Sequence, residues 1–247
     1  MQNIRYVIFS TALLVFTGSF AQTVKTVRPF DKIIVSPHIQ VTFVEGNEES
    51  VSIESTTVDT SKIHIKVENK TLRVYLEGAK DIEKTEKDYR NGYKEKHSIY
   101  QGTVVTATIN YNTLRELSIR GDEKQLCKGA ITGDHFTLRI YGESDVRLNE
   151  IKVNDLAVVT YGECKVEFLS GSARSQTYKA YGEGNLNSLA IDGKSGKITA
   201  YGEADFTMNV SDEIQITAFG EAKLHYKGNP IIRKGIHIGE LHVDKMN

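Results

Sequence analysis

Four tetrapeptides decide the fold: Tyr141-Gly142-Glu143-Ser144, Tyr161-Gly162-Glu163-Cys164, Tyr181-Gly182-Glu183-Gly184 and Tyr201-Gly202-Glu203-Ala204. Phe219-Gly220-Glu221 and Ile238-Gly239-Glu240 continue the series, and Arg120-Gly121-Asp122 opens it in degenerate form. The central glycines lie 21, 20, 20, 20, 18 and 19 residues apart. A near-constant period of this length marks a stacked repeat architecture. The flanks repeat as well. An apolar residue stands three positions after each Glu: Val146, Val166, Leu186, Phe206, Leu224 and Val243. The residue directly after the Glu is small in five repeats (Ser144, Cys164, Gly184, Ala204, Ala222) and becomes Leu241 in the last. Three positions before the corner aromatics stand Leu138, Val158, Tyr178, Ile198 and Ile216. Between these anchors apolar and polar residues alternate, as in Phe136-Thr137-Leu138-Arg139-Ile140. That is strand periodicity with one face inward.

The repeat is too short for a propeller blade of about 40 residues, and it carries neither helical periodicity nor an Asn ladder. Three short strands joined by tight turns consume about 20 residues, which is one coil of a parallel β-solenoid with coils stacked ~4.8 Å apart. The glycine recurs because the chain bends sharply at the same corner of every coil. The small residue recurs because stacked coils leave little room beside it. Proline is scarce, 3 in 247 residues, because strands paired on both sides lose a ladder donor at each Pro.

Working outward, the chain before the repeats also reads as β. Phe30–Val35, His38–Val44, Val51–Glu54, Ile63–Val67 and Leu72–Leu76 alternate, and Glu68-Asn69-Lys70-Thr71 reads as a hairpin connection. Val104–Ile109 and Leu114–Ile119 lead into the first coil. This region is expected to cap one end of the solenoid, where open edges and apolar core would otherwise meet water. Within it, 80–96 is highly charged with both signs mixed and is expected to be a solvated loop or short exposed helix. At the N-terminus, one basic residue (Arg5), an apolar run and Ser19-Phe20-Ala21 before Gln22 read as a secretory signal peptide. The expected organisation is therefore a signal peptide at 1–21, an N-terminal β region at 22–113 including the charged insertion 80–96, and β-solenoid repeats at 114–247. No other segment is apolar enough to span a membrane, so the mature chain is expected to be exported, to the periplasm or the outer surface.

A net charge of −1 argues against a nucleic-acid binder. Two cysteines make no disulfide framework. Cys127 and Cys164 fall two coils apart, beyond disulfide reach, and are expected as free thiols.

The entry segment Phe30-Asp31-Lys32-Ile33-Ile34-Val35-Ser36, then Ile39-Gln40-Val41-Thr42-Phe43 and the Gly46–Val51 turn, resembles that of the head GIN domain family of bacterial envelope auto-transporter adhesins. The ~20-residue coil with a Gly-centred corner is similar to that family's Ser-Gly-Ala-Gly-like repeat, with Tyr here in place of Ser and Glu in place of Ala. The resemblance covers most of Phe30–Val243. It implies a right-handed β-helix of the pectate-lyase-like kind and one continuous domain over 22–247, and it implies no particular activity.

Two ladders carry the chemistry. Tyr141, Tyr161, Tyr181, Tyr201 and Phe219 put aromatic rings at one corner of successive coils. They either stack as packing, at about 0.5–1.5 kcal/mol per pair, or offer a flat stripe to sugar rings. The absence of Trp weighs against the sugar reading. Glu143, Glu163, Glu183, Glu203, Glu221 and Glu240 form a carboxylate column. Neighbours ~4.8 Å apart repel by roughly 0.9 kcal/mol in water and about 3.5 kcal/mol at an effective dielectric of 20. Such a column fans into solvent, pairs with cations, accepts backbone N–H bonds, or holds Ca²⁺. Together, Tyr141 to Phe219 and Glu143 to Glu221 form the candidate ligand-binding stripe. Arg120-Gly121-Asp122 spells an integrin-type tripeptide, and its register in the Gly ladder accounts for it without a receptor.

The reading is a non-catalytic envelope protein that binds a cell-surface component or glycan, without nucleic acid. The alternative is a polysaccharide-active β-helix lyase or hydrolase. That would need an acid/base pair in a groove of unlike residues, whereas the corner residues here are nearly identical.

Overall fold

The computed structural model describes residues 23–81, 85–90 and 93–246. The segment read as a signal peptide lies outside them. The chain enters through β1 (Thr23–Thr26), β2 (Lys32–Val35), β3 (Ile39–Glu45) and β4 (Ser50–Thr56). A 3-10 turn at Thr60–Lys62 follows, its first turn capped by Asp59 Oδ1 accepting from Ser61 N–H at 2.8 Å. β5 (Ile63–Glu68) and β6 (Thr71–Leu76) form an antiparallel hairpin. Its two-residue turn holds Asn69 and Lys70 at positive φ, 49° and 58°, the geometry that matches the twist of paired strands.

The charged segment 80–96 departs from expectation. Beyond the bend at Lys80 and Asp81, β7 (Thr85–Arg90) and β8 (Tyr93–Ser98) are strands, not loop or helix, and pair antiparallel as a separate two-stranded sheet. Charge content describes which side of a strand meets water, not whether the strand forms. The dipeptide Asn91-Gly92, which in sequence is a strong hairpin marker, falls between the two strands.

β9 (Val105–Tyr111), β10 (Glu116–Arg120), β11 (Gln125–Tyr141), β12 (Asp145–Tyr161), β13 (Cys164–Phe168), β14 (Gly171–Lys227) and β15 (Ile231–Lys245) complete the chain. The long extended runs are strands continued around corners. Among the described residues, thirteen strands belong to one continuous sheet. β11, β12, β13, β14 and β15 pair in parallel, coil on coil, so that Tyr141 lies beside Tyr161 and Tyr161 beside Tyr181. The architecture is an all-β solenoid with an N-terminal β cap.

Alternation along each strand sends every second side chain inward. The columns Leu138, Val158, Tyr178, Ile198, Ile216 and Val146, Val166, Leu186, Phe206, Leu224 are buried along the solenoid axis. The cap joins this core through two parallel seams. β2 pairs with β10, and β3 pairs with both β9 and β11. The branches then end at two edges, β1 on β4 and β5 on β6. Lys25 Nζ donates to the Ile65 carbonyl at 3.4 Å, and the Arg28 guanidinium donates to the Val67 carbonyl. Cationic side chains of the β1 segment thus cover carbonyls of β5, one of the ways a sheet edge is protected from pairing with another chain.

Candidate functional site

At each corner the glycine has two reasons to be glycine. Its φ lies between 106° and 127° from Gly142 to Gly239, a region closed to other L-residues at low cost. A Cβ placed on Gly142, Gly162, Gly182, Gly202, Gly220 or Gly239 would also lie 2.2–2.8 Å from the carbonyl oxygen of the glycine one coil earlier. The glycines therefore stack directly on one another. Bend geometry anticipates the first reason only. Gly121, Gly142 and Gly162 each donate N–H to the tyrosine carbonyl of the following coil at 2.9 Å, which sets the register of the ring ladder.

The rings stack face to face. Centroids from Tyr141 to Tyr161, Tyr181, Tyr201 and Phe219 are separated by 5.1, 4.8, 5.1 and 4.9 Å, with planes within 6° of parallel. The faces that a sugar would stack on are consumed by neighbouring rings. At the first end of the ladder the Arg120 guanidinium lies 5.5 Å from the Tyr141 centroid, and it is held there by Asp81 at 2.6 Å. What the ladder offers to solvent is ring edge and phenol hydroxyl, with Tyr141, Tyr161 and Tyr201 about 40% exposed.

Four of the five small residues after the Glu, Ser144, Cys164, Ala204 and Ala222, are buried, and Gly184 is half-buried. Ser144 Oγ donates to the Gly121 carbonyl at 2.6 Å, and Cys164 Sγ donates to the Gly142 carbonyl at 3.2 Å. Cys164 is thus a packing residue, and burial pushes its thiol up to about 11. Burial likewise pushes Cys127 up to about 11, and both cysteines are free.

The carboxylates of Glu143, Glu163, Glu183 and Glu203 are exposed and make no ion pair among the described residues. Further along, Glu221 accepts from Lys223 Nζ at 2.7 Å, and that bond holds its carboxyl below the usual range. Glu240 lies 3.5 Å from His242. The residues two positions on are mixed in sign (Asp145, Lys165, Asn185, Asp205), so the column fans into water beside a shallow trough. The backbone at the first corner is capped by a different acid: Asp122 Oδ1 accepts the Glu143 N–H at 3.1 Å. Among the described residues, no group of three or more His, Cys, Asp or Glu is gathered closely enough to hold a metal ion, the Glu column included. The integrin-type tripeptide is occupied internally, Arg120 by Asp81 and Tyr141, Asp122 by Glu143.

Two buried polar groups escape a reading based on periodicity. Gln176 takes an inward position in the column of Phe136 and Leu156, where it accepts from Tyr178 Oη at 2.6 Å and Ser188 Oγ at 3.1 Å. The signal in the sequence is one polar residue in an apolar column. Glu123 is buried where the cap meets the solenoid, with His38 Nδ1 at 3.9 Å and the Asp122 N–H at 3.2 Å. Burial raises its carboxyl, against the pull of His38 and the backbone donors.

Among the described residues no helix is long and apolar enough to cross a membrane. No curated protein sequence matches the chain significantly. Solved structures do. A "putative adhesin" from Bacteroides fragilis NCTC 9343 is 20% identical with a TM-score of 0.74, covering 91% of this chain and 96% of that one. A "putative adhesin" from Parabacteroides merdae ATCC 43184 is 16% identical with a TM-score of 0.62, covering 94% and 98%. A "putative lipid binding protein" from Parabacteroides distasonis ATCC 8503 is 14% identical with a TM-score of 0.63, covering 93% and 98%. At these identities the likeness is one of fold. The family model described as "Putative auto-transporter adhesin, head GIN domain" matches residues 29–230, and the chain belongs to that family.

Proposed function

We propose that this chain is an exported, non-catalytic binding scaffold of adhesin type in the bacterial cell envelope. In this reading, a signal peptide at 1–21 precedes one continuous domain over 22–247, a right-handed solenoid of about 20 residues per coil. The family's description and the adhesin names of the solved structures with this fold support the assignment. The observation that carries it is the sameness of the corner. Tyr, Gly and Glu recur in register with rings stacked to within 6° of parallel, so the exposed stripe is a uniform surface. A catalytic site needs unlike groups at one place.

The contact surface is the stripe of Tyr141, Glu143, Tyr161, Glu163, Tyr181, Glu183, Tyr201, Glu203, Phe219 and Glu221. Its chemistry is that of carboxylates and phenol edges, which fits a cationic or hydroxyl-bearing surface component better than a sugar face. The test is binding of the purified protein to envelope fractions of the producing cell. The variant Glu163→Gln/Glu183→Gln/Glu203→Gln removes charge and leaves the stack intact. About a tenfold loss of binding with unchanged melting is expected, since desolvated charge pairs are worth this much. Unchanged binding would remove the stripe from the interface.

A further inference from the structure

A second surface, on the cap, has the opposite charge. Alternation along the β5–β6 hairpin sends Val67, Leu72, Val74 and Leu76 inward. Outward go three cross-strand pairs: His64 with Tyr75, Lys66 with Arg73, and Glu68 with Thr71. Tyr75 is the centre of this face. His64 packs on it with ring centroids 4.8 Å apart. Lys66 Nζ lies 5.9 Å and Lys80 Nζ 5.5 Å from the Tyr75 centroid. The negative face of the ring attracts each ammonium group and so keeps both beside Tyr75.

Of the acids nearby, Asp81 is committed twice, to Arg73 at 3.2 Å and to Arg120 at 2.6 Å, and Glu68 lines the turn end of the cleft. Neither Lys66 nor Lys80 has an ion pair among the described residues. Between them and the hairpin turn opens a cleft of about 260 Å³, with Lys66, Arg73, Tyr75 and Lys80 at one end and Glu68, Asn69 and Thr71 at the other. That is slightly below the ~300 Å³ lower bound for small-molecule sites, so the cleft has room for one sugar unit and not for a long segment.

We propose that this cleft binds an acidic sugar unit, one bearing a carboxylate or sulfate group. The Lys66 and Lys80 ammonium groups, both lining the cleft, supply charge-assisted hydrogen bonds to the acidic sugar. At the turn end, the Asn69 amide, Thr71 hydroxyl and Glu68 carboxylate meet the sugar hydroxyls. A membrane surface fits less well, because none of the large exposed apolar side chains among the described residues lines the cleft. The choice of a sugar rests on the adhesin reading, while the site itself is independent of the Tyr/Glu stripe.

The experiment is calorimetric titration of the purified protein with a hyaluronan hexasaccharide, a heparin tetrasaccharide and neutral cellohexaose, alongside vesicles of phosphatidylglycerol in phosphatidylcholine. Saturable binding of at least one acidic oligosaccharide is expected, weakening as salt is raised, with no heat from cellohexaose. Lys66→Ala/Lys80→Ala should lower that affinity by about tenfold or more without changing the melting temperature. The Glu163→Gln/Glu183→Gln/Glu203→Gln variant should bind the sugar as the parent does. Equal binding of the neutral sugar, full binding by the lysine variant, binding to vesicles alone, or no binding of either acidic probe would each overturn the proposal. Loss of envelope binding in the glutamate variant with sugar binding intact would separate failure at one site from failure at the other.

Discussion

The side-chain amide of Gln125 stands in for a stretch of backbone beside β3: its Oε1 accepts the Val41 N–H at 2.9 Å, and its Nε2 donates to the Ile39 carbonyl at 2.9 Å. Backbone pairing between β11 and β3 covers only Leu126 with Thr42 and Cys127 with Phe43. Gln125 extends that seam by one more pair of bonds, and it is 2% exposed. Gln125→Ala leaves a buried donor and a buried acceptor unmet, each costing about 1–3 kcal/mol. A loss of about 2–4 kcal/mol in urea unfolding is expected. Gln125→Glu should lose as much or more, since a carboxylate cannot donate to Ile39 and adds a buried charge. A change below about 0.5 kcal/mol for Gln125→Ala would show the seam to be held by packing alone.

Gly202 and Gly184 are both corner-region glycines with opposite expected tolerance. Gly202 has φ +117°, and a Cβ there would lie 2.3 Å from the Gly182 carbonyl oxygen. Gly184 has ordinary backbone, and its Cβ would meet its nearest neighbour, the Cys164 carbonyl oxygen, at 3.4 Å. Gly202→Ala must push two coils apart and is expected to cost about 3 kcal/mol or more, or to prevent folding. Gly184→Ala is expected within about 1 kcal/mol of the parent, on the stabilising side if the lost chain entropy dominates. Equal melting temperatures for the two variants would refute the stacked-glycine account.

The fold was legible because its determinants are local and repeat. The corner tripeptide, the small residue after it and the inward alternation can each be read within one coil. The contact of each glycine with the glycine before it was not legible, because it depends on how closely coils settle and not on how the chain bends. The seam through Gln125 joins residues 86 positions apart, where periodicity carries no information. The cap cleft depends on the β5–β6 register and on Lys80 arriving from beyond the hairpin. The stripe was half legible: its residues could be named, but only the ring separations reveal that the aromatic faces are spent on one another.

Because the chain has no Trp, its aromatic spectrum reports on tyrosine and phenylalanine alone. Tyr181 lies between two rings, 4.8 Å from Tyr161 and 5.1 Å from Tyr201. Tyr181→Phe keeps both stacks and should leave stability within about 0.5 kcal/mol of the parent. Tyr181→Ala breaks both, at about 0.5–1.5 kcal/mol each beyond the lost burial. The parallel rings should also couple in near-ultraviolet circular dichroism. The tyrosine band should fall in Tyr181→Ala by more than the share of one tyrosine among 12. A strictly proportional fall would mean the rings do not couple in solution.

Glu123 makes the cap–solenoid junction sensitive to pH. Its carboxyl is raised by burial, with His38 and backbone donors opposing. The folded chain therefore keeps this proton to higher pH than the unfolded chain, whose carboxyl titrates near about 4.3. Between the unfolded value and the raised folded one, the native state binds more protons. This group's contribution to stability is consequently full below the window and falls as pH rises through it. Glu123→Gln has no such proton to lose, and its amide oxygen can still accept the Asp122 N–H that Glu123 Oε2 accepts at 3.2 Å. The stability of Glu123→Gln relative to the parent should then rise between about pH 4 and pH 8, measured as urea midpoints across that range. A flat difference, or one of opposite slope, would show that the native environment does not favour the protonated acid.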